Sequence, residues 1–212
     1  MKILIVSATL NEIQPTIEFH KSIPNDNINS CLEFLITGVG MVNTTYQLTK
    51  RICQNKPDYC IQAGIAGTFK KDIKIGEVVN VTDDIFSELG AESEEKFLSA
   101  EEIGLTKDVR FYSDSYHLNH FEYFQKLRKV SGITVNSVHG NMQSILDISN
   151  RLNPDVESME GAAFLQVCSS EKIPCLQLRS ISNLVEKRNK DNWNIPLAIK
   201  NLNDCLINYF FR

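Results

Sequence analysis

Val156-Glu157-Ser158-Met159-Glu160-Gly161-Ala162-Ala163-Phe164 reads as the end of a strand giving way to a helix. An apolar approach ends in two carboxylates three residues apart. Small residues follow at once, then an apolar run. Glu160 stands where extended chain becomes helix, and Gly161, Ala162 and Ala163 let that helix pack closely behind it. A carboxylate at this place accepts several hydrogen bonds and cannot easily turn away. It also suits the positive end of the helix macrodipole, so one such acid is not by itself a site. Its meaning depends on what the rest of the chain brings beside it.

The same strand-to-helix unit recurs along the chain. Lys2 to Val6 is a continuous apolar run, the pattern of a central strand covered on both faces. Ser7-Ala8-Thr9 is its turn, and Leu10 to Ser22 reads as a helix around Pro15, with Glu12 near its start. Residues 23–30 are polar loop. Strands follow at Leu32 to Ile36 and Asp58 to Gln62, separated by an apolar helical spacing over Met41 to Gln54. Glu77 to Thr82 is another strand, and the chain to about Phe111 is charged and irregular. A short helix is expected over Phe121 to Val130, a strand over Gly132 to Val138, and a helix over Ser144 to Leu152. The opening stretch leads into a helix over Gly161 to Glu171, a last strand over Ile173 to Ser182, and a closing helix over Trp193 to Phe211.

Alternating strands and helices predict an α/β fold: a single domain over residues 1–212, with a mainly parallel, mixed sheet flanked by helices. Ligands in such sheets bind beyond the carboxyl ends of the strands. Glu12, Gly38, Gly64, Glu160 and Asn183 are all expected just after a strand, and that convergence marks one edge of the sheet as the site. Residues 83–120 read as an insertion.

Composition narrows the partners. The 212 residues carry a net charge of −4 with both signs spread along the chain. There is no basic cluster for nucleic acid, and no apolar run long enough to cross a membrane. The run after Met1 is too short for a signal peptide. Six cysteines (31, 53, 60, 168, 175 and 205) lie in apolar segments without a Cys-x-x-Cys pair. They read as core thiols of a reducing compartment, so the expected location is cytoplasmic. The four histidines build no metal spacing, and no metal or cofactor is expected. Gly38-Val39-Gly40 could open a dinucleotide fingerprint, but the third glycine would fall at Asn43.

Met159-Glu160-Gly161-Ala162 resembles the ribose-binding signature of the nucleoside phosphorylase and nucleosidase superfamily, and Arg179-Ser180-Ile181-Ser182-Asn183 resembles its base-binding signature. The longer strings Val156 to Phe164 and Ser182 to Asn189 are most similar to the futalosine hydrolases, nucleosidases of menaquinone biosynthesis. The resemblance runs in order along the whole chain, and its motifs are specific as a set and weak singly. It implies a nucleoside phosphorylase-like fold, a small-molecule nucleoside substrate and a homo-oligomer, most simply a dimer with a partner loop closing the site.

The resemblance also implies roles. Phosphorylases of the superfamily place arginine after the first strand, where this chain has Ser7 to Glu12; its first arginine is Arg51. A serine that helps hold phosphate aligns with Ile65. An acid at position 12 repels phosphate and can orient a water, so Glu12 is the expected general base. Glu160 would hold the ribose hydroxyls and favour the developing sugar cation, and Met159 would pack on the sugar. The backbone of Gly64 and Ile65 could approach base or sugar. Arg179 more readily holds Glu12 or the sheet edge than substrate. Asn183 replaces the Asp of nucleosidases acting on methylthioadenosine. An amide offers a carbonyl and an NH₂, which suit hypoxanthine better than adenine. Futalosine carries hypoxanthine, and also a carboxylate at the far end of its sugar, for which Arg188, Lys187 and His139 are candidates, with Trp193 and the aromatics of 111–124 as walls. Nucleosidases for methylthioadenosine or adenosylhomocysteine, phosphorylases for inosine-like nucleosides, and a nucleoside-binding protein without turnover are the alternatives.

Overall fold

Ile3 to Val6 of the N-terminal apolar run are each buried, and successive side chains go to opposite faces of a sheet. Ile3 and Ile5 pack with Ile13, Leu202, Leu206 and Phe210 on one side, while Leu4 and Val6 pack with Leu48, Ile52, Phe164 and Leu165 on the other. A strand apolar on both sides therefore fixes a three-layer α/β architecture. The structure, a computed structural model, describes residues 1–23, 32–94, 96–107, 109–113 and 122–211.

In chain order the elements are β1 (Ile3–Ser7), α1 (Leu10–Ser22), β2 (Leu32–Ile36), α2 (Met41–Gln54), β3 (Tyr59–Thr68), β4 (Val78–Phe86), β5 (Gly90–Ser93), β6 (Lys96–Ser99), β7 (Arg110–Tyr112), α3 (Glu122–Gln125), β8 (Arg128–Thr134), α4 (Met142–Leu152), β9 (Val156–Ser158), α5 (Gly161–Ser170), β10 (Cys175–Leu184) and α6 (Ile195–Phe211). A 3-10 turn covers Lys190–Asn192. The main sheet runs β10-β4-β8-β9-β3-β1-β2, with β7 on the outside of β4. Pairs β1–β2, β1–β3, β3–β10, β4–β8 and β8–β9 are parallel; β4–β10, β3–β9 and β4–β7 are antiparallel. Because β3 also pairs with β10, strands β3, β10, β4, β8 and β9 close a ring. The sheet is mixed and mainly parallel, as expected.

Several expected boundaries move. Gly64 to Gly67, expected just beyond a strand ending at Gln62, lie inside β3, which continues to Thr68 because it pairs with β10 on one edge and β9 on the other. Asn183 likewise lies inside β10, beyond a register shift between Ile181 and Asn183. Of the helix expected over Phe121 to Val130, only Glu122–Gln125 is helical, and residues from Arg128 belong to β8. The stretch read as irregular holds the end of β4, the β5–β6 hairpin and β7. Cys53 is exposed rather than in the core, while Cys60, Cys168, Cys175 and Cys205 are buried thiols. The loop expected at 24–30, Cys31 and residues 114–121 of the aromatic stretch lie outside the described residues. Among the described residues no helix is long and apolar enough to cross a membrane.

Candidate active site

The opening stretch behaves as its sequence suggests. β9 ends at Ser158, Glu160 is the N-cap position of α5, and Gly161 begins the helix. Only glycine fits there. A Cβ on Gly161 would come within 2.0 Å of Asp84 Oδ2 and 2.3 Å of Gln177 Nε2. Beneath the helix start, Asp84 accepts from Gln177 Nε2 at 3.0 Å and from Thr134 Oγ1 at 2.8 Å, and Thr134 Oγ1 in turn accepts from Ala162 N at 2.7 Å. Burial pushes the Asp84 carboxyl up to about 6 against these bonds. This buried polar set fixes the height at which α5 meets the sheet, and so the place of Glu160.

Glu160 Oε1 accepts from Gly40 N at 3.0 Å. Gly40 has φ of +93°, a left-handed backbone that aims its N–H at the carboxylate. Glu160 Oε2 lies 3.7 Å from Arg179 Nη1. Arg179 is fully buried in β10 and also donates through Nη2 to Gln62 Oε1 at 2.9 Å. It braces the site from within rather than lining it.

Glu12 sits at the third position of α1 and closes a capping box: Oε2 accepts from Thr9 N at 2.9 Å and Thr9 Oγ1 at 2.8 Å. Its other oxygen, Oε1, accepts from Ile65 N at 3.1 Å. The acid is 7% exposed. Gly64 explains the close approach, since a Cβ there would meet Arg179 Nη1 at 2.4 Å and Glu12 Oε1 at 3.0 Å. Glu12, Arg179 and Glu160 thus form one cluster over β3.

A second cluster lies two residues along β3. Asn183 Nδ2 and Glu157 Cγ stand 3.1 and 3.6 Å from where a Gly67 Cβ would be. Asn183 Oδ1 accepts from Ser182 Oγ at 2.7 Å, and Nδ2 donates to Leu184 O at 3.0 Å. One amide proton and one carbonyl lone pair remain for a ligand. Glu157 is almost fully buried and receives the His139 ring, Nδ1 to Oε2 at 2.7 Å, and the His139 backbone N–H at 3.2 and 3.3 Å.

The clusters face one cavity of about 360 Å³, whose walls include Glu12, Ile65, Met159, Glu160, Asn183, Glu157, His139 and Trp193. Of the predicted site residues, Glu12, Ile65, Met159, Glu160 and Asn183 line it. Gly64 and Arg179 stand behind the wall. Arg188 is exposed, its guanidinium 5.2 Å from the Trp193 ring centre and its chain hydrogen-bonded to Gly140, at the Asn183 end. Among the described residues no lysine or arginine lines this cavity, and five acids and amides that carry hydrogen-bonding oxygens do. The sequence alone assigns Glu157 no role. The signal available for it was the pair of acids bracketing a strand end, and only the fold shows that both turn to the same cavity.

A model of the phosphorylase superfamily matches residues 2–210. The chain belongs to the phosphorylase superfamily. It is 26% identical to futalosine hydrolase of Thermus thermophilus over 172 residues, 80% of this chain and 76% of that protein. It is 24% identical to a 5′-methylthioadenosine/S-adenosylhomocysteine nucleosidase of Haemophilus ducreyi over 194 residues, 84% of this chain and 79% of that one. The structure of Helicobacter pylori futalosine hydrolase superposes with a TM-score of 0.80 at 16% identity, covering 99% of this chain and 97% of that one. These relatives are nucleosidases of two specificities, and the superfamily architecture is common to both.

Proposed function

We propose that the protein hydrolyses the N-glycosidic bond of a 6-oxopurine nucleoside, with futalosine as the substrate and hypoxanthine as the released base. One observation carries the hydrolytic half of this reading: the acid Glu12 faces a cavity with no lysine or arginine among its described walls. A phosphate nucleophile needs charge-assisted donors. A water needs a base, and Glu12 is held rigidly by Thr9 and Ile65 to act as one. General-base catalysis of this kind contributes roughly 10²–10⁴-fold. Glu160, anchored by Gly40 and Arg179, would hold the ribose hydroxyls and offset positive charge growing on the sugar. Met159 would cover the ribose.

Asn183 supports the 6-oxo preference. Its free N–H can donate to a six-position carbonyl, and its oxygen can accept from a protonated ring nitrogen beside it. The similarity to Thermus thermophilus futalosine hydrolase supports futalosine within that class. The similarity to nucleosidases of methylthioadenosine favours a second reading, cleavage of 6-aminopurine nucleosides; Asn183 argues against it. Exposed apolar side chains on α2 (Val42, Tyr46) and α4 (Met142, Leu146) support a homodimer, which sedimentation would show.

The deciding assay is release of hypoxanthine from futalosine, with and without phosphate. Phosphate-independent release with a free hemiacetal sugar is expected. A sugar 1-phosphate as main product would refute hydrolysis, and faster adenine release from methylthioadenosine would favour the second reading.

A further inference from the structure

The departing base must take up a proton, and the Asn183 amide has none to transfer. Four described cavity-lining side chains are acids or bases that titrate: Glu12, Glu157, His139 and Glu160. Glu12 and Glu160 belong to the other cluster, where Ile65, Gly40 and Arg179 hold them. That leaves the Glu157–His139 pair, which shares the Gly67 surface with Asn183. We propose that His139, oriented by Glu157, is the proton donor to the leaving purine. The inference rests on the nucleosidase reading above.

The geometry suits the task. Glu157 takes Nδ1 at 2.7 Å and the His139 backbone N–H, so ring and chain are both fixed. Phe69 stands against the ring edge-on, with centroids 6.1 Å apart. Nε2 makes no hydrogen bond among the described residues, and the residue lines the cavity. With Nδ1 turned to the carboxylate, Nε2 is the nitrogen left to face a ligand. Histidine is the side chain suited to hold and release a proton near neutral pH. Glu157 is a positioning residue: it sets the tautomer and orientation of the ring.

The step balances. The C1′–N bond breaks, and its electron pair goes to the base. The Nε2 proton of the imidazolium passes to a ring nitrogen of the base, leaving neutral His139. Water bonds to C1′ and gives a proton to Glu12. Glu12 then releases that proton to solvent, and His139 regains one from solvent. The sum is nucleoside plus water giving base plus sugar hemiacetal.

The test compares His139→Gln and Glu157→Gln with the wild-type protein, each first shown folded by circular dichroism, on nucleosides whose bases need progressively less protonation. Futalosine and inosine need most, 8-azainosine less because its base is more acidic, and 7-methylinosine least because its N7-methylated base is cationic before cleavage and departs neutral without a proton. His139→Gln should lower kcat/KM for futalosine and inosine by about 100-fold, within the usual range for a general acid, and the easier leaving groups progressively less. Glu157→Gln should show the same gradient more weakly. A purely structural role gives a loss that is flat across the series. A flat loss, or none, in either folded variant overturns the assignment while leaving the nucleosidase reading intact. Failure of the wild-type protein to release base from futalosine or inosine overturns that reading instead.

Discussion

Glu12 and Glu160 are both buried carboxylates, yet their surroundings differ in a way that separates their effects. Glu12 is held by Thr9 and Ile65 N–H groups and faces the cavity from the α1 side. Its work would be on water, so Glu12→Gln should cut kcat by about 10²-fold or more while nucleoside binding, measured by calorimetry with a slow substrate, stays nearly intact. Glu160 would hold the ribose in ground and transition states alike. Glu160→Gln should weaken binding and turnover together, and equal binding in the two variants would contradict this division. Asn183→Asp tests the base-reading role. The new carboxylate confronts a six-position carbonyl with no donor between them, and a site built on one hydrogen bond rejects a partner that cannot make it. The ratio of kcat/KM for futalosine over aminofutalosine should fall; an unmoved ratio would remove Asn183 from base recognition. At this scale the sequence was informative where a residue type departs from its relatives' pattern, as at Asn183 and Ile65. It was silent on Glu157, because an acid in a three-residue strand carries no sign of which way it faces. It also left the position of Arg188 open, because where a residue four places past a strand lies depends on the turn between.

The elements that carry the site meet at glycines. Gly161 lets α5 start against Asp84 and Gln177, and Gly64 lets the Arg179 and Glu12 side chains lie on β3. Gly161→Ala must push the helix start away from the sheet. Overpacking of this kind costs about 1–3 kcal/mol, so the melting temperature should drop, and turnover should fall further than stability alone explains because Glu160 moves with the helix. An alanine variant with wild-type melting temperature and activity would show that α5 has slack here. β1, β2, α1, α2 and α6 were legible from the chain because their apolar spacing matches the period of the element. The β5–β6 hairpin was not. All four residues of β5 are exposed, so no alternation of apolar and polar residues marks it. Gly64 to Gly67 misled for the opposite reason: glycine in a strand whose surface is filled by neighbouring side chains looks, in sequence, like a turn.

For the molecule as a whole, the sheet buries a carboxyl, Asp84 of β4, beneath the start of α5, and its ionisation bears on stability. Burial raises the Asp84 carboxyl from 3.8 to about 6. Between these two values the folded protein holds more protons than the unfolded chain, so stability falls as pH rises through that window and levels off above it. The shift corresponds to a loss on the order of 3 kcal/mol. Asp84→Asn removes the titration. Gln177 Oε1 is buried with no partner among the described residues, so turning that amide supplies an acceptor for the new NH₂. The variant should therefore gain on wild type as pH increases, with a larger melting-temperature difference at pH 7.5 than at pH 4. A difference independent of pH would mean that Asp84 does not titrate in this range. The α/β layering was readable from strand and helix order, whereas the closed ring of strands was not, since it depends on β3 finding partners at least 88 residues away on both edges.

β3 touches both halves of the chemistry. Ile65 N holds the acid that would activate water, and Gly67 lies under the amide that would read the base. Two residues of strand span about 6.6 Å, a length set by covalent bonds and pleat rather than by packing. The strand is a ruler. Helices around it can loosen, and lower the melting temperature, without changing the interval between nucleophile and leaving group. Drift in the outer layers should therefore reduce how many molecules are folded and leave the rate of each folded molecule alone, whereas a single residue inserted between Ile65 and Gly67 should abolish turnover in a protein that still folds.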